Sequence, residues 1–163
     1  MITVFIFLFF LLLENLLLPA LIGPGPFLIT EVFILGLVIY GRRWQTFAFQ
    51  AVPLIIIEEI FTGIGIGKFL GPLAVTSLIY FWLNQFINFT EYLRDSTSNI
   101  MASAFILLTL GYLYSFLFVL FGNTHNIAAS WNEWRIFFTA SLWSMLGWSL
   151  AISALFKYVL KTK

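Results

Sequence analysis

The stretch Ile100–Gly122, IMASAFILLTLGYLYSFLFVLFG, decides the fold because it is a long apolar run without a charged side chain. It exceeds the roughly 20 apolar residues that a membrane-spanning helix requires. Polar connections flank it on both sides, at Arg94–Asn99 and Asn123–Glu133. In lipid a helix is favoured because it pairs its backbone N–H and C=O groups within its own segment. We therefore expect residues 100–122 to form a transmembrane helix.

The whole chain shares this apolar character. Of its 163 residues, 61% are hydrophobic and 9% are charged, and the mean hydropathy is +1.01. A soluble domain carries about 25% charged residues, so this composition indicates an integral membrane protein and excludes a disordered chain. The absence of cysteine excludes disulfides and thiolate metal sites. A net charge of +1 gives no indication of nucleic-acid binding.

Five further segments resemble the first, so the sequence predicts an all-α bundle of six transmembrane helices in a single membrane domain, residues 1–163. The predicted helices span residues 2–22, 27–40, 44–62, 69–93, 100–122 and 134–158. The predicted helix at residues 2–22 lacks a basic leader and a small-residue cleavage site, which favours a membrane helix over a cleaved signal peptide. Residues 27–40 are short for a full span and could instead form a re-entrant hairpin with the first helix. Five spans is the alternative count.

Lysines and arginines in short loops predict the orientation, because they are enriched on the cytoplasmic side. With six spans and a cytoplasmic N-terminus, six of them lie inside and two, Lys68 and Arg135, lie outside. The inner set comprises Arg42, Arg43, Arg94, Lys157, Lys161 and Lys163. We therefore expect both termini to be cytoplasmic. Loss of the second span would move Arg42 and Arg43 outside and remove this bias.

Four glutamates, Glu14, Glu31, Glu58 and Glu59, fall inside the predicted helices. A charge at the centre of a membrane helix costs about 2.5–3.5 kcal/mol on insertion scales, so such groups commonly face a cavity or the bundle interior. Glu14 and Glu58 are candidates for a polar cavity or a partner contact. Alternatively, Glu58 and Glu59 reach water near the following Gly-rich turn. Glu14 has no basic neighbour in sequence, so we expect it to be protonated or paired with another helix.

A polar stripe on the fourth predicted helix provides two further candidates, Asn84 and Asn88. With Glu91 they have the spacing i, i+4 and i+7, which places them on one helix face. This face could bind a ligand or partner near the cytoplasmic side. It could equally serve hydrogen bonding between helices, a common use of such residues in membranes.

The last predicted helix carries small residues on one face, which allows another helix to approach closely. These residues are Ala140, Ser144, Gly147, Ala151 and Ala154. The helix that packs there could belong to this chain or to a second protein.

No motif indicates catalysis. His125 is the single histidine and lies in a polar turn, where it cannot form a metal site without several carboxylates. The turn GIGIGK at Gly63–Lys68 lacks the spacing of a phosphate-binding loop. The HExxH and GxGD patterns of membrane proteases are also absent from the sequence. We expect no catalytic residue, no metal and no cofactor, and hence a protein that is not an enzyme.

The stretch from Pro26 to Phe89 resembles the bacterial rod shape-determining MreD family. An apolar helix begins after a proline, a basic turn follows, the next helix ends in acidic residues, and a Gly-containing turn leads to an aromatic-rich helix. In this chain these features are Pro26–Leu28, Gly41–Arg43, Ile57–Phe61, then Gly65, Gly67 and Gly71, then Leu78–Phe81. The chain departs from the family at Leu54–Ile56, which replaces a Gly-Leu pair, and in using Glu where the family uses Asp.

The resemblance implies a six-helix protein of the bacterial cytoplasmic (inner) membrane that belongs to the cell-elongation machinery. It implies a non-enzymatic scaffold that binds an MreC-like partner and helps couple MreB filaments to the peptidoglycan synthases. The family is also similar in fold to the substrate-binding S components of energy-coupling factor vitamin transporters. An S component is therefore the alternative, and it would bind a small-molecule ligand. The predicted early helices lack the A-x-x-x-A face expected of it, since Ala48 and Ala51 are three residues apart.

Overall fold

A computed structural model describes residues 2–22, 28–41, 45, 47–63, 67–87, 98–122 and 127–160. Within these ranges the regular secondary structure is helical throughout. The first helix runs through α1 (Ile2–Leu12), a π-helical turn (Leu13–Leu17) and α2 (Leu18–Ile22). Then come α3 (Ile29–Gly41), a π-helical turn (Phe47–Ala51), α4 (Val52–Thr62), α5 (Leu70–Ile87), α6 (Ser98–Gly122), α7 (Ile127–Leu155) and a final π-helical turn (Phe156–Leu160).

In the described part of the chain, four helical stretches are long and apolar enough to cross a membrane. They are Ile2–Leu21, Leu70–Ile87, Ile100–Phe121 and Phe138–Tyr158. Large apolar side chains such as Leu21, Phe49 and Trp143 are exposed on the outside of the bundle, where lipid is the compatible solvent. The expected all-α membrane protein is therefore confirmed. The count of six spans stays a prediction.

Helix α3 lies at the centre of the bundle. Every residue from Ile29 to Ile39 is buried, and the helix contacts α1, α4, α5, α6 and α7. A helix that is apolar all round must be covered on all sides. With 13 residues, α3 is about 20 Å long, shorter than the hydrocarbon core. Because protein rather than lipid surrounds it, this length need not match the thickness of the bilayer.

Gly36 allows the end of the last helix to pack closely against α3. A Cβ atom on Gly36 would lie 2.6 Å from Cε2 of Phe156. The Phe156 ring stacks on Tyr40 at a centroid distance of 5.0 Å and on Phe33 at 5.5 Å. Phe156 is thus held between two aromatic rings, and the close approach depends on the missing side chain of Gly36.

Two predicted boundaries differ from the structure. The last helix begins at Ile127, seven residues before the predicted start at 134, so part of the expected polar connection is helical. Ala128 and Ala129 are strong helix formers and extend the helix despite the polar residues around them. Within the predicted third helix, residues 44–62, α4 begins only at Val52, directly after a π-helical turn at Phe47–Ala51, and Pro53 lies in its first turn. Residues 88–93 of the predicted fourth helix lie outside the described part.

Candidate functional site

Glu14 joins the first helix to the start of α3. It lies in the π-helical turn Leu13–Leu17. Its Oε2 accepts hydrogen bonds from the backbone N–H of Thr30 at 2.8 Å and from Thr30 Oγ1 at 2.6 Å. The first N–H groups of a helix have no partner within the helix, so Glu14 caps α3. Of the two expectations for Glu14, the structure shows pairing with another helix.

Glu59 caps α5 in the same way. Its carboxylate accepts hydrogen bonds from the backbone N–H groups of Gly67, Phe69 and Leu70 at 2.8–2.9 Å. A negative charge at this position also interacts favourably with the helix dipole. The chain reverses between α4 and α5 through Gly63 and Gly67, which have left-handed φ angles of +68° and +99°. Glu59 is buried, so the alternative in which it reaches water is wrong.

Glu31 and Glu58 are also buried, and one carboxyl oxygen of each lacks such an anchor. Their exposed fractions are 4% and 2%, so Glu58 does not reach water either. The Oε2 atom of each has no hydrogen-bond partner among the described residues. Among the described residues, the charged groups close enough to act electrostatically on Glu31 are Glu14 and Glu58, and those that act on Glu58 are Glu14 and Glu59. Burial and like charge are thus combined in one cluster.

Tyr114 of α6 completes this acidic cluster, which we define as Glu14, Glu31, Glu58, Glu59 and Tyr114. Tyr114 is 1% exposed, and it interacts electrostatically with all four glutamates. Its hydroxyl has no hydrogen-bond partner within the described part of the chain. Tyr114 was not among the candidate site residues predicted from the sequence. The available signal was its hydroxyl in the middle of an apolar helix, since buried tyrosines usually have a polar partner.

The cluster has defined chemical limits. In the ranges that the structure describes, no group of three or more His, Asp or Glu side chains is arranged to hold a metal ion. What the cluster offers is hydrogen-bond acceptors, the free oxygens of Glu31 and Glu58, together with the phenolic hydroxyl of Tyr114. Such acceptors suit a proton or a cation that donates N–H groups.

Asn84 is not part of this cluster. Tyr80, one helical turn before it, donates a hydrogen bond to the carbonyl oxygen of Ile39, at 3.3 Å, at the end of α3 opposite to Glu31. Asn84 therefore lies towards the other end of the bundle, with its Oδ1 buried and without a partner among the described residues. Asn88, the second member of the predicted stripe, lies outside the described residues.

The predicted small-residue face of α7 is turned outwards. Ala140, Gly147 and Ala151 are exposed, and Ser144 and Ala154 are half-buried. No described atom lies within 4 Å of a Cβ built on Gly147. The helix instead buries the face formed by Ser141, Met145, Ser149, Ile152 and Ser153. Small residues occur on both faces, so their spacing could not identify the packed one. A hollow of about 360 Å³ lies on the outward face between Trp143 and Trp148.

The fold and the cluster define a class, a helical membrane protein with acidic groups buried in its interior. The chain matches no model of a known protein family, no curated protein and no solved structure.

Proposed function

We propose that this protein is a non-enzymatic membrane scaffold of the bacterial cell-elongation machinery. It binds an MreC-like partner and wall-synthesis proteins. It lies in the cytoplasmic membrane with six spans and both termini in the cytoplasm.

The Glu59 hairpin is the observation that carries the proposal. The sequence features behind the MreD resemblance include the acidic end of α4 and the glycines after it. In the structure, Glu59 and Gly67 are joined by hydrogen bonds of 2.9 Å, and Gly71 lies in the first turn of the helix that Glu59 caps. Residues that look like separate motif positions thus form one structural unit, which supports reading them as a family feature.

The outward small-residue face of α7 is the proposed partner surface. Gly147 and Ala151 leave the backbone accessible, and the exposed Trp143 borders the hollow. In membranes, the hydrophobic effect does not drive helices together, so their association depends on van der Waals packing. Small residues favour it because they allow close helix–helix contact. A single transmembrane helix of an MreC-like protein fits this surface. The six-span topology requires that α3 and the Phe47–Thr62 segment also cross the membrane.

Co-purification tests the proposal. The tagged protein is co-expressed with the MreC-like protein of the same genome and recovered in mild detergent. We expect the partner to co-purify with the wild-type chain and its recovery to fall severalfold with Gly147→Leu or Ala151→Leu. Ile60→Leu is the matched control, because Ile60 is exposed on α4, a different helix. Depletion of the protein should also round the cells. The proposal is wrong if depleted cells keep a normal rod shape and no partner is recovered.

The acidic cluster favours a second function, the substrate-binding S component of an energy-coupling factor transporter. Acidic groups inside a membrane bundle commonly mark substrate or ion pathways. This function predicts that native mass spectrometry of the purified protein detects a bound vitamin-sized molecule. Glu58→Gln should reduce the bound fraction, and Arg135→Gln, which also removes one charge but at an exposed position of α7, should not.

A further inference from the structure

We propose that Glu31, Glu58 and Tyr114 form a binding site for a small organic ammonium ion inside the bundle. This inference goes beyond the scaffold function, which requires no ligand.

The cluster contains two kinds of glutamate. Glu14 and Glu59 are occupied by backbone N–H groups at the starts of α3 and α5. These two carboxyl groups hold the helices together and have an evident structural role. Glu31 and Glu58 are different, since the Oε2 of each is buried without a partner among the described residues. These hydrogen bonds to helix starts therefore explain two of the four glutamates.

Tyr114 provides an independent indication of a ligand. It comes from α6, a helix that carries none of the four glutamates, and its buried hydroxyl also has no partner in the described ranges. A buried polar group without a hydrogen bond costs about 1–3 kcal/mol. Three such groups, from α3, α4 and α6, are buried. The packing places Tyr114 beside the starts of α3 and α5. One turn before Tyr114, a Cβ on Gly111 would lie 3.7 Å from Val32, the neighbour of Glu31. The Tyr114 ring stacks on Phe118, which stacks on Phe69, the residue whose N–H Glu59 binds. A shared ligand satisfies all three at once.

The charge of the cluster selects a cation. In the part of the chain that the structure describes, the charged groups that act on Glu31 and Glu58 are other glutamates. Isolated charges are expensive in a membrane and are commonly paired there. A cation with several N–H donors would bridge the two carboxyl groups and also donate to Tyr114.

The geometry favours an ammonium group over a metal ion. A metal ion needs oxygen ligands at about 2.0–2.6 Å. The described side chains include no set of three His, Asp or Glu groups placed for that. An ammonium group reaches its acceptors at about 2.7–2.9 Å and has three donors that rotate into place. It therefore does not need the compact set of ligands that a metal ion requires.

Thermal unfolding in lipid nanodiscs tests the site. The wild-type protein is titrated at fixed pH and ionic strength with methylammonium chloride, tetramethylammonium chloride or sodium chloride. We expect methylammonium to raise Tm, by about 5 °C at a concentration roughly 100 times Kd. Tetramethylammonium has no N–H donor and should give no rise. Sodium should give none because it requires short oxygen contacts.

Variants assign the effect to the site. The double variant Glu31→Gln, Glu58→Gln should abolish the rise with methylammonium. Tyr114→Phe preserves the ring and should weaken the apparent affinity about tenfold, the loss expected for one hydrogen bond to a charged group. If the double variant does not fold, Tyr114→Phe alone tests whether methylammonium binds at this site. Arg135→Gln removes one charge at an exposed position of α7; it is the control and should respond like the wild type.

Four results would overturn the inference. They are no response to methylammonium, an equal response to tetramethylammonium, a response to sodium of the same size, and a response that persists in the variants. No response to methylammonium means that protons alone neutralise the cluster. None of these results bears on recovery of an MreC-like partner, so the two proposals fail separately.

Discussion

The carboxylate of Glu59 lies 2.8 Å from the backbone nitrogen of Phe69, and this contact fixes how α4 and α5 form a hairpin. The same carboxylate also accepts hydrogen bonds from Gly67 and Leu70. The adjacent Glu58 is equally buried, yet its Oε2 has no partner among the described groups. Two neighbouring residues of the same type therefore have different roles, which a pair of substitutions can separate.

Glu59→Gln should destabilise the protein by about 2 kcal/mol, because hydrogen bonds to a charged acceptor are worth about 1.5–3 kcal/mol. Glutamine keeps one acceptor oxygen and places an NH2 group against backbone N–H donors. Glu58→Gln should leave stability unchanged or raise it, since it removes a like charge from the cluster. Thermal unfolding followed by tryptophan fluorescence measures both. Equal destabilisation by the two substitutions would contradict the assigned roles.

Thr30→Val should cost about 1 kcal/mol, because it removes the hydroxyl that donates to Glu14 at 2.6 Å. Thr76→Val is the matched control. Thr76 is fully buried on α5, and its Oγ1 has no partner among the described residues, so the loss of its hydroxyl should be neutral or stabilising. The midpoint of thermal unfolding in detergent measures the difference. A larger loss for Thr76→Val than for Thr30→Val would show that the Glu14 contact contributes little.

Gly36→Ala should destabilise the bundle by about 1–3 kcal/mol, the usual cost of overpacking. The new methyl group would meet the Phe156 ring at 2.6 Å, and that ring is held between Tyr40 and Phe33. Gly111→Ala offers a comparison, because its methyl group would meet the flexible end of Met145 at 2.5 Å. Met145 can change rotamer, so we expect the smaller loss there. The reverse order in unfolding experiments would show that Phe156 moves more easily than Met145.

Gly147→Leu should leave Tm within about 1 °C of the wild type, because the site faces outwards with open space around it. Ser149→Leu should lower Tm by several degrees, because Ser149 is buried on the face that α7 packs against the bundle. The pair distinguishes the exposed face from the packed one. A large fall in Tm for Gly147→Leu would indicate that this face packs against the chain itself.

The sequence was sufficient for the membrane class and the helical fold because lipid imposes both. Apolar runs of sufficient length must be helical, and the four longest are. Local sequence was less informative where neighbouring helices decide the outcome. Phe47–Ala51 and Leu13–Leu17 are π-helical, which residue propensities do not specify. The face that α7 buries depends on the shape of α6, and small residues lie on both sides.

For the acidic residues, too, the sequence predicts some features and the packing of neighbouring helices decides others. Their positions inside apolar helices marked Glu14 and Glu58 as unusual in advance. Their separate roles depend on contacts made across the chain, such as Glu14 with Thr30, sixteen residues away. Tyr114 joins the cluster only because α6 packs against α3. The cluster is therefore a property of the assembled bundle, and only its glutamates could be named from the sequence.

The buried position of α3 has a consequence for biogenesis. This helix is synthesised early, but α6 and α7, which cover two of its sides, emerge more than 50 residues later. Before α6 and α7 are synthesised, they cannot shield Glu31 from lipid or water. A helix of 13 residues is also too short to span the hydrocarbon core by itself. We expect insertion of α3 to be completed after synthesis of α7. The thiol of a Leu35→Cys variant should therefore react readily with a thiol reagent in chains truncated after Ile87. The same thiol should be protected in the full chain.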